Sequence, residues 1–159
     1  MRKTLEVITL AALALLVYTT GRALFGPNRL PDRIPTNFDL SGHPVGWGSS
    51  AMLLLAPAVA IGLYLLITVV ARFPSAFNYP WRVTGANRQR MEALALNMIT
   101  WLKAELICLF AWLQTAAIHA ARNPGEGLAA GSAMVPVSIV VVFGTIVWHF
   151  VAMRRAAHA

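Results

Sequence analysis

An all-α fold, an integral membrane bundle of four transmembrane helices with an ordered Pro/Gly-rich outer loop, is what this sequence predicts. Three observations predict it. The 159 residues are 58% hydrophobic and 12% charged, with mean hydropathy +0.64, which is too apolar for a water-soluble globule. The 13 basic and 6 acidic side chains gather between long apolar stretches where a soluble protein would scatter them. Four of those stretches reach the roughly 20 residues that a helix rising about 1.5 Å per residue needs to cross a hydrocarbon layer of about 30 Å.

The first span, residues 4–24, follows Met1-Arg2-Lys3, a basic start that signal peptides share. No A-x-A cleavage pattern follows, and the length is that of a full crossing, so a retained helix is expected. The second, third and fourth spans cover residues 51–70, 98–121 and 132–153, all within one membrane domain over 1–159. Strands are excluded as spanning elements, because an open sheet edge in lipid leaves backbone groups unpaired and no barrel-like alternation is present. Pro57 and Pro136 predict kinks, and Ala58-x-x-x-Gly62 predicts close helix approach, within the bundle or between copies.

Orientation follows from the basic residues. Arg2, Lys3, Arg72, Arg82, Arg88, Arg90, Arg154 and Arg155 fall on one side, against Arg22, Arg29, Arg33 and Arg122 on the other. Cytoplasmic flanks hold the excess, so both termini and the basic loop 71–97 are expected in the cytoplasm. The loop 25–50 and the Asn123-Pro124-Gly125 turn then face outward. Thr84 is the expected N-cap of a helix that runs without proline to Ala121, ~55 Å at about 1.5 Å per residue. Arg82, Arg88 and Arg90 at its start form a basic cytoplasmic patch, suited to anionic headgroups or a docking partner. Trp47, Trp81, Trp101 and Trp148 lie at or near span boundaries, where an apolar ring with a polar N–H is favoured.

The outer loop reads LPDRIPTNFDLSGHPVGWGSS from Leu30 to Ser50. Its prolines fix backbone angles, its glycines permit tight bends, and Asp32, Asn37 and Asp39 can bond back to nearby amides. A compact cap is expected, with Leu30, Ile34, Phe38 and Trp47 packing on helix ends or on the membrane surface. Pro31, Asp32, Pro35, Asn37, Phe38, Gly42 and Trp47 are the candidate binding residues of this loop.

This loop resembles that of a bacterial membrane-protein family of unassigned function, whose members carry an LPDxIPxHFxxxGxPDxWxxK-like segment and which forms the N-terminal part of the SdpI-type immunity proteins. Leu30, Pro31, Asp32, Ile34, Pro35, Phe38, Gly42, Pro44 and Trp47 carry the likeness. Asn37, Val45 and Ser50 depart from it, standing where the family has histidine, aspartate and lysine. The likeness continues through FNYPWRVTGANRQR, Phe77 to Arg90, and WLKAE, Trp101 to Glu105. It implies a multi-pass protein of the bacterial plasma membrane and a role in toxin immunity or in signalling through a membrane-bound repressor.

Ionisable groups inside a span cost about 2.5–3.5 kcal/mol each at its centre, so Lys103, Glu105 and His149 form a candidate intramembrane polar cluster. Lys103 and Glu105 stand about 200° apart around their helix and should not pair with each other. Glu105 and His149 can meet if the third and fourth spans pack antiparallel, and Glu6 could join them. A buried clasp between helices, snorkelling to the interface, and a proton or ligand site are the three readings.

No P-loop, G-x-S-x-G, H-E-x-x-H or dinucleotide fingerprint occurs. No two histidines have ligand spacing, and the single cysteine, Cys108, excludes an intrachain disulfide or a cysteine-based zinc site, so no metal or cofactor is expected. Membrane topology accounts for the basic residues without nucleic acid. The expected partners are the lipid bilayer and a membrane protein, or further copies of the chain. A non-enzymatic binding or accessory protein is the leading expectation, with a structural subunit of a larger membrane complex as the alternative. A carrier using Glu105 and His149 comes third.

Overall fold

The computed structural model describes residues 1–39, 43–123 and 134–158. Four helices dominate: α1 (Arg2–Phe25), α2 (Leu55–Val70), α3 (Arg88–Arg122) and α4 (Met134–His158). Together with a 3-10 turn, Ser50–Leu54, that leads into α2, each is long and apolar enough to cross a membrane. The predicted spans fall inside these helices wherever they are described. Pro124 and Gly125 of the expected outer turn, and the first two residues of the expected fourth span, lie outside the described residues.

α3 is the central element, packing against α1, α2 and α4. Three apolar clusters line its length. At one end Ile118 and Ala121 meet Ala23 of α1, Leu53 before α2, and Leu30 and Ile34 of the following loop. In the middle Ile107 and Ala111 meet Leu16 and Ala60. At the other end Met91 and Ala95 meet Met153 and Ala156 of α4, under Phe77, Tyr79 and Trp81 of the 71–87 elbow. The loop 25–50 therefore sits at one end of the bundle, and the basic elbow and the C-terminal end of α4 sit at the other.

α3 is 35 residues long. At about 1.5 Å per residue that is ~52 Å, more than a bilayer core needs, so its first turns project among the elbow aromatics. It begins at Arg88 with Asn87 as N-cap. The expected cap, Thr84, lies one turn earlier, where its N–H donates to the Asn87 side chain at 2.8 Å and its hydroxyl accepts from the Asn87 N–H at 3.4 Å. The reciprocal bonds close a turn ahead of the helix instead of opening the helix itself.

Two other expectations change. Pro57 is the third residue of α2, directly after the 3-10 turn, and Pro136 is third among the described residues of α4, so neither stands in the middle of a described helix, where proline would remove a backbone hydrogen bond. At Gly62 an added Cβ would find no atom within 4 Å, so the small-residue motif makes no close approach within the described chain.

The outer loop is a β-hairpin, β1 (Arg33–Phe38) against β2 (Pro44–Ser49), antiparallel with Pro35 opposite Trp47 and Asn37 opposite Gly46. The argument against strands holds for lipid, whereas water can satisfy the open edges of a hairpin outside it. A register shift between Pro35 and Asn37 breaks the alternation that would announce a strand. The hairpin is tied down at its base, where the Ser50 N–H donates to the Asp32 carbonyl at 2.9 Å and the Leu30 N–H to the Ala23 carbonyl at 2.8 Å. Its glycines are dictated by contact: a Cβ on Gly46 would lie 2.8 Å from Asn37 Nδ2, and one on Gly48 would lie 2.9 Å from Thr36 Cγ2.

Candidate functional site

Burying one apolar side chain against another gains little inside a bilayer, where lipid tails are equally apolar, so polar contacts between helices discriminate one packing from another. α3 carries three such contacts, and helical periodicity sorts them onto two faces. Lys103, Ile107, Ala111 and Gln114 are buried on the face that meets α1 and α2. Glu105 turns to α4.

Lys103, 6% exposed, donates to Glu6 Oε2 of α1 at 2.7 Å and to the Thr68 hydroxyl of α2 at 3.2 Å. Tyr64 of α2 donates its phenol to the other Glu6 oxygen at 2.6 Å, and the lysine ammonium lies 4.7 Å from the centre of the Tyr64 ring. Three helices thus meet on one ion pair whose charges are each hydrogen-bonded further, the condition under which a buried pair is tolerated. Glu6 therefore joins Lys103 and not Glu105 and His149, because α1 packs on the opposite face of α3 from α4.

Glu105 Oε1 accepts from the Thr145 hydroxyl of α4 at 2.5 Å, while Oε2 is buried and has no hydrogen-bond partner among the described residues. His149, one turn beyond Thr145 and 7% exposed, has Nδ1 2.8 Å from the Thr145 carbonyl. A carbonyl can only accept, so Nδ1 carries the proton there. Glu105 and His149 both reach Thr145 and make no hydrogen bond to each other. The expected single cluster of Lys103, Glu105 and His149 is therefore two clusters, one on each face of α3. A cavity of about 240 Å³ lies beside Glu105 between α3 and α4, lined by Leu109, Trp112, Val137 and Val141 among others. A second, of about 460 Å³, lies toward the elbow beside Asn97, Trp101 and His149.

The third contact escaped the sequence reading. Gln114, 3% exposed, donates to the Thr20 hydroxyl of α1 at 2.8 Å and to the Leu53 carbonyl at 2.9 Å. It joins α1, α3 and the foot of the hairpin. Its signal in the sequence is a polar residue about three helical turns from Lys103, hence on the same face.

In the hairpin, Ile34 and Pro35 are buried, Phe38 is half-buried, and Pro31, Asp32, Asn37 and Trp47 are exposed. Pro35 is thus part of the seat and not of the outer surface. Gly42 lies outside the described residues. Val45 and Trp47 face outward on β2, 66% and 51% exposed. The Asp39 carboxylate accepts from the His43 N–H at 2.8 Å and closes the tip, as a turn aspartate does. At the other end Arg82, Arg88 and Arg90 are all exposed, with Arg88 3.8 Å from Glu92. Tyr79 donates to the Pro74 carbonyl at 2.8 Å, and burial, reinforced by the Glu92 charge, pushes its phenol above the usual range.

A family model described as a domain of unknown function (DUF1648) matches residues 7–61, which hold most of α1, the hairpin and the first part of α2. The match thus takes in the hairpin and the helical segments that flank it in sequence, and stops before α3, on which the hairpin also rests, and before the polar residues of α3 and α4. No curated protein and no solved structure matches the chain.

Proposed function

We propose that this chain is a non-enzymatic integral membrane protein, crossing the bacterial plasma membrane four times with both ends in the cytoplasm. It acts as a binding or accessory protein, and its outer hairpin recognises a membrane-active partner. The carrying observation is the build of the hairpin: Leu30 and Ile34 seat it on α1 and α3, while Val45 and Trp47 are exposed on the strand β2, which pairs with β1. An exposed aromatic on an ordered support is the kind of residue that anchors interfaces. The likeness of the loop to that of SdpI-type immunity proteins supports a toxin as the partner, or a signalling partner in the same membrane. The sidedness rests on the basic residues of the elbow and of both chain ends, which lie at the end away from the hairpin.

The test is a photo-crosslinker placed at Trp47 in native membranes, with Leu65, exposed on α2, as the comparison position. A discrete adduct from position 47, lost in the Val45→Asp variant, is expected, together with greater sensitivity to a membrane toxin when the gene is deleted. Diffuse lipid adducts from both positions would overturn the reading.

A second reading, a structural subunit of a larger membrane complex, is favoured by α4. It packs chiefly on α3 and leaves Val140, Phe143, Val147 and Trp148 between 58% and 72% exposed. Copurification in mild detergent at fixed stoichiometry with other subunits would favour this reading over the first. Full activity after Glu105→Gln and His149→Ala would remove the carrier reading.

A further inference from the structure

Another cavity, of about 300 Å³, lies between α1 and α3 at the hairpin end of the bundle. Tyr18, Thr19 and Arg22 line it from α1, and Thr115, Ile118, His119 and Arg122 line it from α3. No acid is among these residues, and no carboxylate of the described residues forms an ion pair with either arginine. Arg22 donates to the phenol oxygen of Tyr18 at 3.4 Å, and its guanidinium carbon lies 6.0 Å from the centre of that ring. Tyr18 is one turn back along α1, so the cation is held beside the cavity and does not extend past the helix end as a snorkelling arginine would. The phenol accepts this bond and keeps its own proton to donate. The threonines use their protons on their own helices: Thr19 donates to the Leu15 carbonyl at 2.8 Å and Thr115 to the Ala111 carbonyl at 2.8 Å.

We propose that this cavity binds the phosphate of an anionic phospholipid, held by Arg22 and Arg122 with the Tyr18 hydroxyl as a further donor. Two guanidiniums brought by two helices to one cavity, with no acid between them, suit a phosphate, whose oxygens arginine meets with paired N–H donors. Both arginines stand in the last turns of their helices, where a cation also offsets the helix dipole. That role needs no shared cavity and leaves the convergence of the two side chains without a cause. The volume is at the lower edge of the ~300–1,000 Å³ usual for small-molecule sites, enough for a headgroup. Ile118, buried in the cluster under the hairpin, gives the cavity an apolar wall, and Leu15, one turn before Tyr18, continues the apolar surface at 51% exposure. An acyl chain covers that surface and a free phosphate leaves it bare, so the lipid is the favoured source of the phosphate. The inference rests on the membrane-spanning helices alone and is independent of the partner and the sidedness proposed above.

The test is mass spectrometry of the intact, delipidated full chain in mild detergent, titrated with phosphatidylglycerol or with phosphatidylcholine of the same acyl chains. Preferential retention of one phosphatidylglycerol is expected. Arg22→Gln combined with Arg122→Gln should weaken it about tenfold or more, the loss of at least one charge-assisted contact. Thr115→Trp, which fills the cavity and leaves both arginines in place, should weaken it as well. Arg88→Gln combined with Arg90→Gln, in the exposed basic elbow, should leave it unchanged. Equal retention of the two lipids, undiminished retention in the Arg22 and Arg122 double variant or in Thr115→Trp, or an equal loss from the elbow variant would overturn the proposal. So would displacement of the lipid by millimolar inorganic phosphate, which would make free phosphate the ligand. Failure here leaves the Trp47 cross-link unaffected, so the two readings fail separately.

Discussion

Lys103 and Glu6, far apart in the chain, meet at 2.7 Å between α3 and α1, and the pair is locked by Tyr64 and Thr68 of α2. Each of the three helices would otherwise carry a polar group into an apolar environment alone. Assembly satisfies all of them at one point, so the contact favours the meeting of these particular faces of the three helices.

Removing one member should therefore be worse than removing both. Glu6→Gln leaves the Lys103 ammonium buried without its counter-ion, for which wholly buried pairs lose about 3–5 kcal/mol. The Glu6 side chain keeps 34% exposure. Water screening reduces the expected loss to on the order of 2 kcal/mol. Adding Lys103→Met to Glu6→Gln should recover part of that loss. Reversible unfolding in mixed micelles, arranged as a double-mutant cycle, measures the coupling.

Gln114→Leu keeps the volume of a core side chain but strands the Leu53 carbonyl, while the Thr20 hydroxyl loses one donor and keeps its own bond to the Leu16 carbonyl at 2.7 Å. A loss of about 1–3 kcal/mol is expected from the unsatisfied carbonyl. Because Leu53 sits at the foot of the hairpin, amide exchange over residues 50–54 should accelerate more than exchange in the middle of α3. Equal changes in both regions would mean that Gln114 has no local anchoring role.

Gly48→Ala should disturb the hairpin while sparing the bundle. The new methyl would lie 2.9 Å from Thr36 Cγ2 on the facing strand and 2.9 Å from Met52 Sδ. The methionine can swing away, but the β-branched threonine cannot do so without moving β1, so a cost of about 1–3 kcal/mol is expected. Exchange protection should fall over residues 33–38 and 44–49 and persist in α1 and α3.

The elbow should loosen in alkali. The Tyr79 phenol is raised above the usual tyrosine range, chiefly by burial. An acid whose folded value is raised binds its proton more tightly in the fold, so its contribution is complete below the unfolded value and is lost as pH rises above it. The fluorescence of Trp81, which packs edge-on to Phe150 at 5.7 Å, should change above about pH 10, and that change should diminish in Tyr79→Phe.

The spans were legible because an apolar run of sufficient length carries its own signal, and Lys103 and Glu105 were legible because a charge within such a run is conspicuous. Their partners were not. Tyr64, Thr68, Thr20 and Thr145 are ordinary in an apolar helix, and only the packing of α1, α2 and α4 around α3 assigns them. The separation of Lys103 from Glu105 followed from the helical repeat, but the choice of Glu6 for one face and Thr145 for the other required the bundle. The hairpin was hidden for a different reason: its prolines, glycines and shifted register erase the alternation by which a strand is usually recognised.

The central claim is that the hairpin and the chain ends lie on opposite faces of a membrane crossed four times. Cysteine accessibility tests it directly. In a Cys108→Ser background, Val45→Cys and Arg155→Cys variants are treated with a membrane-impermeant maleimide in intact cells and again after permeabilisation. The account predicts that Val45→Cys is labelled in intact cells and Arg155→Cys only once the membrane is opened. Labelling of both positions in intact cells, or of Arg155→Cys alone, would contradict it.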